Sequence, residues 1–456
     1  MVDVSQNKNI KLYTYSELQE VKGFVGNFEI KIRKKARSVD IEKCTGCGVC
    51  YSKCPTKIPS EFEEGLGIRK AIYVPFPQAV PNVPVIDREN CRFFKEGKCK
   101  VCQKVCPAGA INYEEEDEII SEKVGAIIVA TGFDTFDPGV LYEYGYGRYK
   151  DVITSLQFER LINAGGPTKG EIKRPSDGKH PKVVAFIQCV GSRDDTVNRP
   201  YCSKVCCMYT AKQAILLKEH EKEAKSYVFY IDTRAAGKGY EEFIRRAQEE
   251  YGAVYIRGKV AKIFERGDKL VLKAEDSLIG KKIELQVDMV VLAVGIQPKK
   301  DAVKLAQMLN ISYDTYGFYN EAHPKLRPVE TNTDGIYLAG VCQGVKDIPE
   351  SVAQGSAAAA KVCSLFSSDE METSPLVSEI NKDLCVGCLA CLNACPYNAI
   401  EEEILEEKTG KRRVAKVNSA TCKGCGVCVV TCPSSVPQLK GWTDEQILRE
   451  VYALVR

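Results

Sequence analysis

Lys182 to Ala214 reads KVVAFIQCVGSRDDTVNRPYCSKVCCMYTAKQA. KVVAFIQ is apolar enough for a buried strand, a helix is predicted over Tyr201–Lys222, and SYVFYID (Ser226–Asp232) is a second strand. Strand, helix, strand opens a nucleotide-binding α/β domain, in which G-x-G-x-x-G follows the first strand so that backbone can approach a pyrophosphate. Here CVGSRDD follows, with Gly191 its one glycine. A bulky, charged loop at that position argues against a working nicotinamide site. Four cysteines, Cys189, Cys202, Cys206 and Cys207, stand in its place. Cys202 and Cys206 lie one helical turn apart and share a face, while Cys189 ends the preceding strand. Chemistry alone leaves three readings open: a [4Fe-4S] cluster of irregular spacing, a redox-active thiol pair, or buried thiols. Lys212, further along the helix, is either a solvated charge or a group within reach of a cofactor.

Three segments around this stretch point to a flavin. GAIIVATGFD (Gly125–Asp134) and DMVVLAVGIQP (Asp288–Pro298) are apolar strands running into glycine turns. They resemble the linker strands that cross between the two nucleotide domains of thioredoxin-reductase-like flavoproteins, which implies cofactor contacts at Thr131, Gly132 and Gly295. VETNTDGIYLAGVCQGVKDIPESVAQGSAAAAKV (Val329–Val362) resembles the T-x6-YAAGD segment of the same proteins. There a strand end meets the ribityl chain, and the N-terminus of the next helix, expected here over Glu350–Leu365, faces the pyrimidine end of the flavin. A positive helix end stabilises the negative charge of a reduced flavin. The residues so implied are Gly340, Val341, Glu350, Ala353 and Gln354. The motif's aspartate is missing, since Val341 and Cys342 follow Gly340. Cys342 and Cys363 are expected to be packed thiols.

Sixteen of the 22 cysteines fall into four runs, each ending in Cys-Pro. Cys44, Cys47, Cys50 and Cys54 form C-x2-C-x2-C-x3-C-P, and Cys91, Cys99, Cys102 and Cys106 form C-x7-C-x2-C-x3-C-P. In two-cluster ferredoxins the fourth cysteine of each run reaches across to the other cluster. One [4Fe-4S] centre is therefore assigned to Cys44, Cys47, Cys50 and Cys106, and the second to Cys91, Cys99, Cys102 and Cys54. Ile58–Pro84 is a long insertion between the two runs. The second module has Cys385, Cys388, Cys391 and Cys395, then Cys422, Cys425, Cys428 and Cys432. By the same rule Cys385, Cys388 and Cys391 go with Cys432, and Cys422, Cys425 and Cys428 with Cys395. Glycines 46, 48 and 109 suit a backbone that curls around inorganic sulfide. Paired zinc knuckles are the competing reading; they ordinarily use two C-x2-C pairs and leave the third and fourth cysteines unexplained.

The chain is 456 residues long, enough for roughly two to four domains. Sixty-four Lys and Arg nearly balance 61 Asp and Glu, so the +3 net charge gives no reason to expect nucleic acid or a membrane surface. No long apolar run or signal-peptide pattern occurs, which leads to the expectation of a soluble, cytoplasmic protein without a membrane span. Cysteine runs of this spacing suit metal capture in a reducing compartment. Asn9–Ala36 reads as short alternating strands, as though the chain began inside a fold, and Ser367–Pro375 (SSDEMETSP) reads as a linker.

The order of modules, with CVGSRD and YCSKVCCMYTAKQA at the centre, resembles the A-type subunit of heterodisulfide reductase over essentially the whole chain. The fold class so implied is α/β: a thioredoxin-reductase-like flavoprotein domain, incomplete at its N-terminus, with one inserted and one C-terminal two-[4Fe-4S] ferredoxin-like α+β domain. The expected parts are 1–36, the end of the first flavin half; 37–122, the inserted ferredoxin; 123–368, the flavin domain; and 369–456, the terminal ferredoxin. The resemblance implies FAD, four ferredoxin-type clusters and a fifth on Cys189, Cys202, Cys206 and Cys207, with Lys212 near the reactive flavin nitrogen. It further implies electrons arriving from a hydrogenase or formate dehydrogenase through a small iron-sulfur adaptor. FAD would split them between ferredoxin and the CoM-CoB heterodisulfide branch of methanogenesis. The B-type and C-type subunits of the reductase and a homodimeric complex are the implied partners. Family members carry a further cluster-bearing domain and the G-x-G-x-x-G flavin half at their N-terminus. A separate subunit, or a reading frame cut at an upstream selenocysteine codon, would account for the difference. Competing readings are an electron-wiring subunit of quinone-interacting or benzoyl-CoA reductase complexes, and a NAD(P)H-dependent iron-sulfur flavoprotein.

Overall fold

The protein is described here from a computed structural model covering residues 2–368, 370, 374–407 and 410–455. Its centre is a five-stranded parallel sheet in the order Val152–Thr154, Met289–Val294, Val183–Val190, Lys225–Tyr230, Val254–Arg257. Every residue of Met289–Val294 is buried, as a parallel strand covered on both faces requires. Alternate residues divide between two cores. Ala185, Ile187, Phe229, Val290 and Leu292 face an antiparallel meander of Val260–Arg266, Lys269–Asp276 and Lys281–Val287. Val184, Phe186, Val228, Met289 and Val291 face helices Ser155–Ile162, Cys206–His220 and Tyr240–Glu249. At the edge of the meander, Asp288 is 3% exposed and accepts from the backbone N–H groups of Lys182 and Val183, both at 2.8 Å. Burial raises the Asp288 carboxyl, but Lys269 and those two N–H groups outweigh it and hold the group below its ordinary value.

The helix expected from Tyr201 begins at Cys206. Residues 201–205 are withheld from it because the Ser203 N–H and hydroxyl both bond to Ser192 Oγ, each at 3.0 Å, and Lys204 takes a left-handed φ of 63°.

Ser16–Phe24, Asn27–Lys34 and Glu118–Val124 form a three-stranded antiparallel sheet. The first cysteine module is inserted between its second and third strands. Its base is closed by the Val39–Ile111 bridge and by the Ala36 N–H on Asp117 Oδ1 at 2.8 Å. Residues 10–15, expected as part of the alternating strands, lie outside any strand. Ile127–Val129 pairs in parallel with Ile336–Leu338, and helix Ile348–Leu365 follows. The helix starts two residues before the expected Glu350, because Asp347 and Glu350 form a capping box with Pro349 in the first turn. Only Ala358 of this helix is buried, so Cys363, expected to be packed, is exposed. Cys342 is packed as expected, 4% exposed, with its thiol on Val129 O at 3.2 Å. Of the linker read over 367–375, residues 369 and 371–373 lie outside the described residues.

Candidate functional site

Cys189 lies at the carboxyl end of the central strand, the position where open α/β sheets bind ligands. Strand register slips between Ile187 and Val190, and Cys189 adopts φ 61°. Such a bulge re-aims a side chain, and a left-handed non-glycine is strained enough to need support from its surroundings. Cys189 shares its electrostatic surroundings with Cys207 and Cys202, and Cys206 shares its own with all three. The four cysteines named from sequence therefore meet in one place. Two backbone N–H groups point at their sulfurs: Lys204 N to Cys202 Sγ at 3.2 Å and Arg234 N to Cys207 Sγ at 3.4 Å. The Gln188 side-chain nitrogen, also buried, has no partner. Burial pushes the Cys189 thiol up to about 11 and the Cys206 thiol up to about 12. A reactive cysteine needs the opposite shift, so the set is poorly suited to thiol–disulfide exchange.

Serines that sequence reasoning passed over hold the loop in place. The Ser203 hydroxyl accepts from Ile296 N at 2.9 Å, and Ser192 Oγ donates to Tyr201 O at 3.1 Å. Gly295 is required there: a Cβ would lie 2.6 Å from Gly191 O and 2.8 Å from Ser203 Oγ. Arg193 pairs with Asp232 (Nη2 to Oδ2 3.1 Å), the acidic residue after the second strand that in a dinucleotide domain would take the ribose. The loop thus pairs Arg193 with the acidic residue that a dinucleotide domain would use for the ribose.

On its other side the loop meets the flavin-type elements. Tyr201 and Val205 pack with Ile296, Phe318 and Val341, and the Tyr201 hydroxyl donates to Ile296 O at 3.0 Å. Lys204 forms an ion pair with Glu350, whose other oxygen accepts the Asp347 N–H at 3.1 Å to close the capping box. One residue therefore connects Cys202 to the start of the helix Ile348–Leu365. Gln354 Oε1 accepts from Gly340 N at 2.7 Å, and Gly340 has φ 77°. Lys346, half-buried and held below its usual basicity by burial, bonds to Gln343 Oε1. Thr131 and Gly132 follow strand Ile127–Val129, and Ala353 is exposed on the helix. Lys212 stands apart from this group: its Nζ meets Glu159 Oε2 at 2.8 Å and its side chain is 47% exposed. Lys204 was legible only as part of the cysteine motif; nothing in the sequence marked its partner.

The four ferredoxin-type runs share one construction. The third cysteine sits in a five-residue helix (Val49–Lys53, Val101–Val105, Ala390–Ala394, Val427–Thr431), and the fourth is its C-cap. The proline after each fourth cysteine ends the helix there and holds that cysteine extended. Cys44, Cys47, Cys50 and Cys106 line one small cavity of about 20 Å³. Cys395, Cys422, Cys425 and Cys428 line another of about 20 Å³. Cys102 shares its surroundings with Cys91 and Cys54, and Cys391 with Cys385 and Cys432. Cys106 thus lies with Cys44, Cys47 and Cys50, and Cys395 with Cys422, Cys425 and Cys428, across the two runs of each module. Among the described residues no three Cys, His, Asp or Glu side chains converge tightly enough for a single ion. N–H and O–H groups meet the sulfurs again, including Ala110 N on Cys106 and Ala399 N on Cys395, both at 3.3 Å, and Tyr113 Oη against Cys102 Sγ at 2.9 Å.

Comparison with known proteins matches residues 384–436 to a 4Fe-4S dicluster domain and residues 37–60 to a 4Fe-4S binding domain. The chain carries [4Fe-4S] modules at both places. The second A-type iron-sulfur subunit of the CoB–CoM heterodisulfide reductase of Methanopyrus kandleri is 53% identical over 90% of this chain and 62% of its own length. The A-type subunit of the H2:CoB-CoM heterodisulfide,ferredoxin reductase of Methanothermobacter thermautotrophicus is 50% identical over 88% of this chain and 60% of its own. The A-type iron-sulfur subunit of the CoB–CoM heterodisulfide reductase of Methanocaldococcus jannaschii is 50% identical over 98% of this chain and 67% of its own. The chain thus spans about 60% to two thirds of the length of these relatives. Among solved structures, thioredoxin reductase of T. acidophilum aligns at a TM-score of 0.35 and 17% identity over 64% of this chain and 84% of its own. No helix among the described residues is long and apolar enough to cross a membrane. On the identity and coverage of these relatives, the chain belongs to the family of A-type iron-sulfur subunits of heterodisulfide reductase.

Proposed function

We propose that this chain is the iron-sulfur flavoprotein core of a heterodisulfide reductase complex. In this reading it takes electrons from a hydrogenase or formate dehydrogenase and divides them at FAD between ferredoxin and the CoM-CoB heterodisulfide. The observation that supports it most is the junction of Tyr201–Lys204 with both flavin-type elements, through the Tyr201 hydroxyl on Ile296 O and the Lys204–Glu350 pair. FAD, when bound, supplies the exchange between a two-electron donor and one-electron clusters. Cys189, Cys202, Cys206 and Cys207 hold a fifth cluster beside it. Thr131, Gly132, Gly295, Gly340, Val341, Glu350, Ala353 and Gln354 form the flavin-side wall. Lys212 is the cation near the reactive flavin nitrogen, and to serve there it exchanges Glu159 for the cofactor, which its half-exposed position permits. The proposed parts are 1–36, 37–122, 123–368 and 369–456, with strand Glu118–Val124 of the host sheet crossing the second boundary.

A separate N-terminal flavin-domain subunit is a further proposed partner at the flavin pocket. A parallel sheet of only two strands, Ile127–Val129 and Ile336–Leu338, with Ile128 42% exposed, supports further strands pairing at that edge. The B-type and C-type subunits, a small iron-sulfur adaptor and ferredoxin complete the electron path of a dimeric complex. Twenty-two cysteines, twenty of them proposed cluster ligands, suit a reducing cytoplasm.

The test is Cys206→Ala in the assembled complex. Iron falls by about four atoms per chain, the circular dichroism is retained, and ferredoxin reduction uncouples from heterodisulfide reduction. Unchanged iron and spectra would refute the central cluster. Absence of stoichiometric coupling in the unmutated complex would refute bifurcation and leave a wiring subunit.

A further inference from the structure

Gln188 is 6% exposed and sits immediately before Cys189 in the bulged end of the central strand. Its side-chain oxygen accepts a hydrogen bond from the Cys207 thiol at 3.5 Å, and its side-chain nitrogen is buried with no partner. In a well-packed interior an orphaned amide donor is costly, so its retention calls for an explanation. The Tyr255 hydroxyl, also buried and without a partner, lies within electrostatic reach of the same sulfur.

Metal ligation supplies the explanation. A cysteine that binds iron loses its thiol proton. The Cys207 sulfur then has nothing to donate, and two acceptors, the thiolate and the Gln188 oxygen, would face each other. Rotating the amide by half a turn exchanges its oxygen and nitrogen, which occupy nearly the same volume. The amide then donates N–H to the thiolate, beside the Arg234 N–H already there at 3.4 Å. The hydrogen bond so formed is charge-assisted and stronger than the neutral one it replaces. The carbonyl oxygen left in the nitrogen's place is the less costly group to leave unpaired.

We propose that Gln188 is a positioning residue that sets the reduction potential of the central iron-sulfur site by donating its amide N–H to the Cys207 thiolate. The inference rests on the central-cluster reading above. Donors to cluster sulfurs stabilise the reduced, more negative state and so raise the potential.

The experiment is a redox titration followed by electron paramagnetic resonance on the full chain in its complex. The central signal is identified as the one that Cys206→Ala removes. Gln188→Met keeps the side chain's length and removes the donor. It is expected to retain all iron and to lower the equilibrium constant for reducing the central site by roughly tenfold, or about 59 mV for one electron. Gln188→Glu places a carboxylate beside the sulfur and lowers the constant further. Retained iron with an unmoved central potential in both variants overturns the proposal. A measurement on the unmutated protein removes dependence on the variants' folding: with glutamine amide nitrogen labelled with 15N, the reduced central signal shows a hyperfine coupling to that nitrogen. Absence of the coupling overturns the role of Gln188 while leaving the cluster in place. If Cys206→Ala removes no signal and no iron, the central-cluster reading itself fails, and Gln188's role fails with it.

Discussion

The chain builds cysteine sites in two ways. In the ferredoxin-type modules the cysteines are themselves a large part of the core. Cys50, Cys91 and Cys102 are buried at the centre of the inserted module, packed with Ile72, Val83, Ile86 and Ile111 among few other apolar side chains. In the terminal module Cys391 and Cys428 share their core with little more than Ile400 and Ala415. The central site sits instead on a domain with two full cores. Helix Cys206–His220 buries Ala211, Ala214, Ile215 and Leu217 against the parallel sheet whether or not its first residues bind anything. A fully buried aliphatic side chain contributes about 1.5–3 kcal/mol, so this helix holds its place without metal. On this contrast the modules are expected to need their clusters to fold, and the central helix is not.

Chelating the iron under anaerobic reducing conditions tests that contrast with the largest expected effect. Metal-binding free energy in so small a module is folding free energy. Hydrogen exchange is expected to rise by orders of magnitude over residues 37–113 and 378–439 and to stay protected over 183–190, 225–230 and 289–294. Loss of protection in the parallel sheet at the same chelator concentration would mean that the central cysteines also stabilise their domain.

The two lysines of the cysteine motif sharpen the central half of the comparison. With FAD bound in the complete complex, Lys212→Met is expected to lower the flavin midpoint potential, because a nearby cation favours the anionic reduced form. Lys204→Met acts less directly, through the Glu350 capping box, with an effect of about 0.5–1 kcal/mol on the helix start, and Lys204→Arg restores it. A flavin potential unmoved by Lys212→Met would leave that lysine as the surface partner of Glu159 that the geometry already gives it.

The two kinds of site differ also in how openly the sequence declares them. The ferredoxin-type quartets follow from spacing, since a five-residue helix closed by Cys-Pro is a local object and its crossed partners repeat in a fixed pattern. The continuous apolar runs of Lys182–Gln188 and Ser226–Asp232 made these strands equally readable, because both faces of the sheet are buried. The central quartet was nameable by residue but not by chemistry. The bulge at Cys189 and the burial of Cys206 depend on elements distant in sequence. Ser203 tied to Ile296 and Lys204 tied to Glu350 span 93 and 146 residues, and no local pattern announces either. The same limit explains the misplaced helix start at Tyr201, where propensity favoured a helix and the Ser192–Ser203 bonds prevented it.

The two modules differ in their attachment to the rest of the chain, and the smallest expected effects lie there. The inserted module is continuous with a host sheet at both ends and is gripped again by Arg160, whose Nε and Nη2 reach Glu63 at 3.0 and 3.1 Å with both side chains 16% exposed. The terminal module meets the body through the Lys423–Asp334 ion pair and the Asn310 amide on Pro396 O at 3.1 Å. Lys423 follows Cys422 and Pro396 follows Cys395, so both joints adjoin the proposed cluster of Cys422, Cys425, Cys428 and Cys395. Asp334 is 39% exposed, and a pair so open is worth about 0.2–1 kcal/mol and weakens as salt screens it. Glu63→Gln breaks the more enclosed bidentate pair and is expected to loosen 60–66 and 155–162 in hydrogen exchange. Asp334→Asn is expected to speed exchange at 421–424 by at most about fivefold, with iron content unchanged and the difference shrinking in high salt. If Asp334→Asn matches or exceeds Glu63→Gln, the terminal module is as firmly seated as the inserted one, and the contrast between a built-in and a docked module fails.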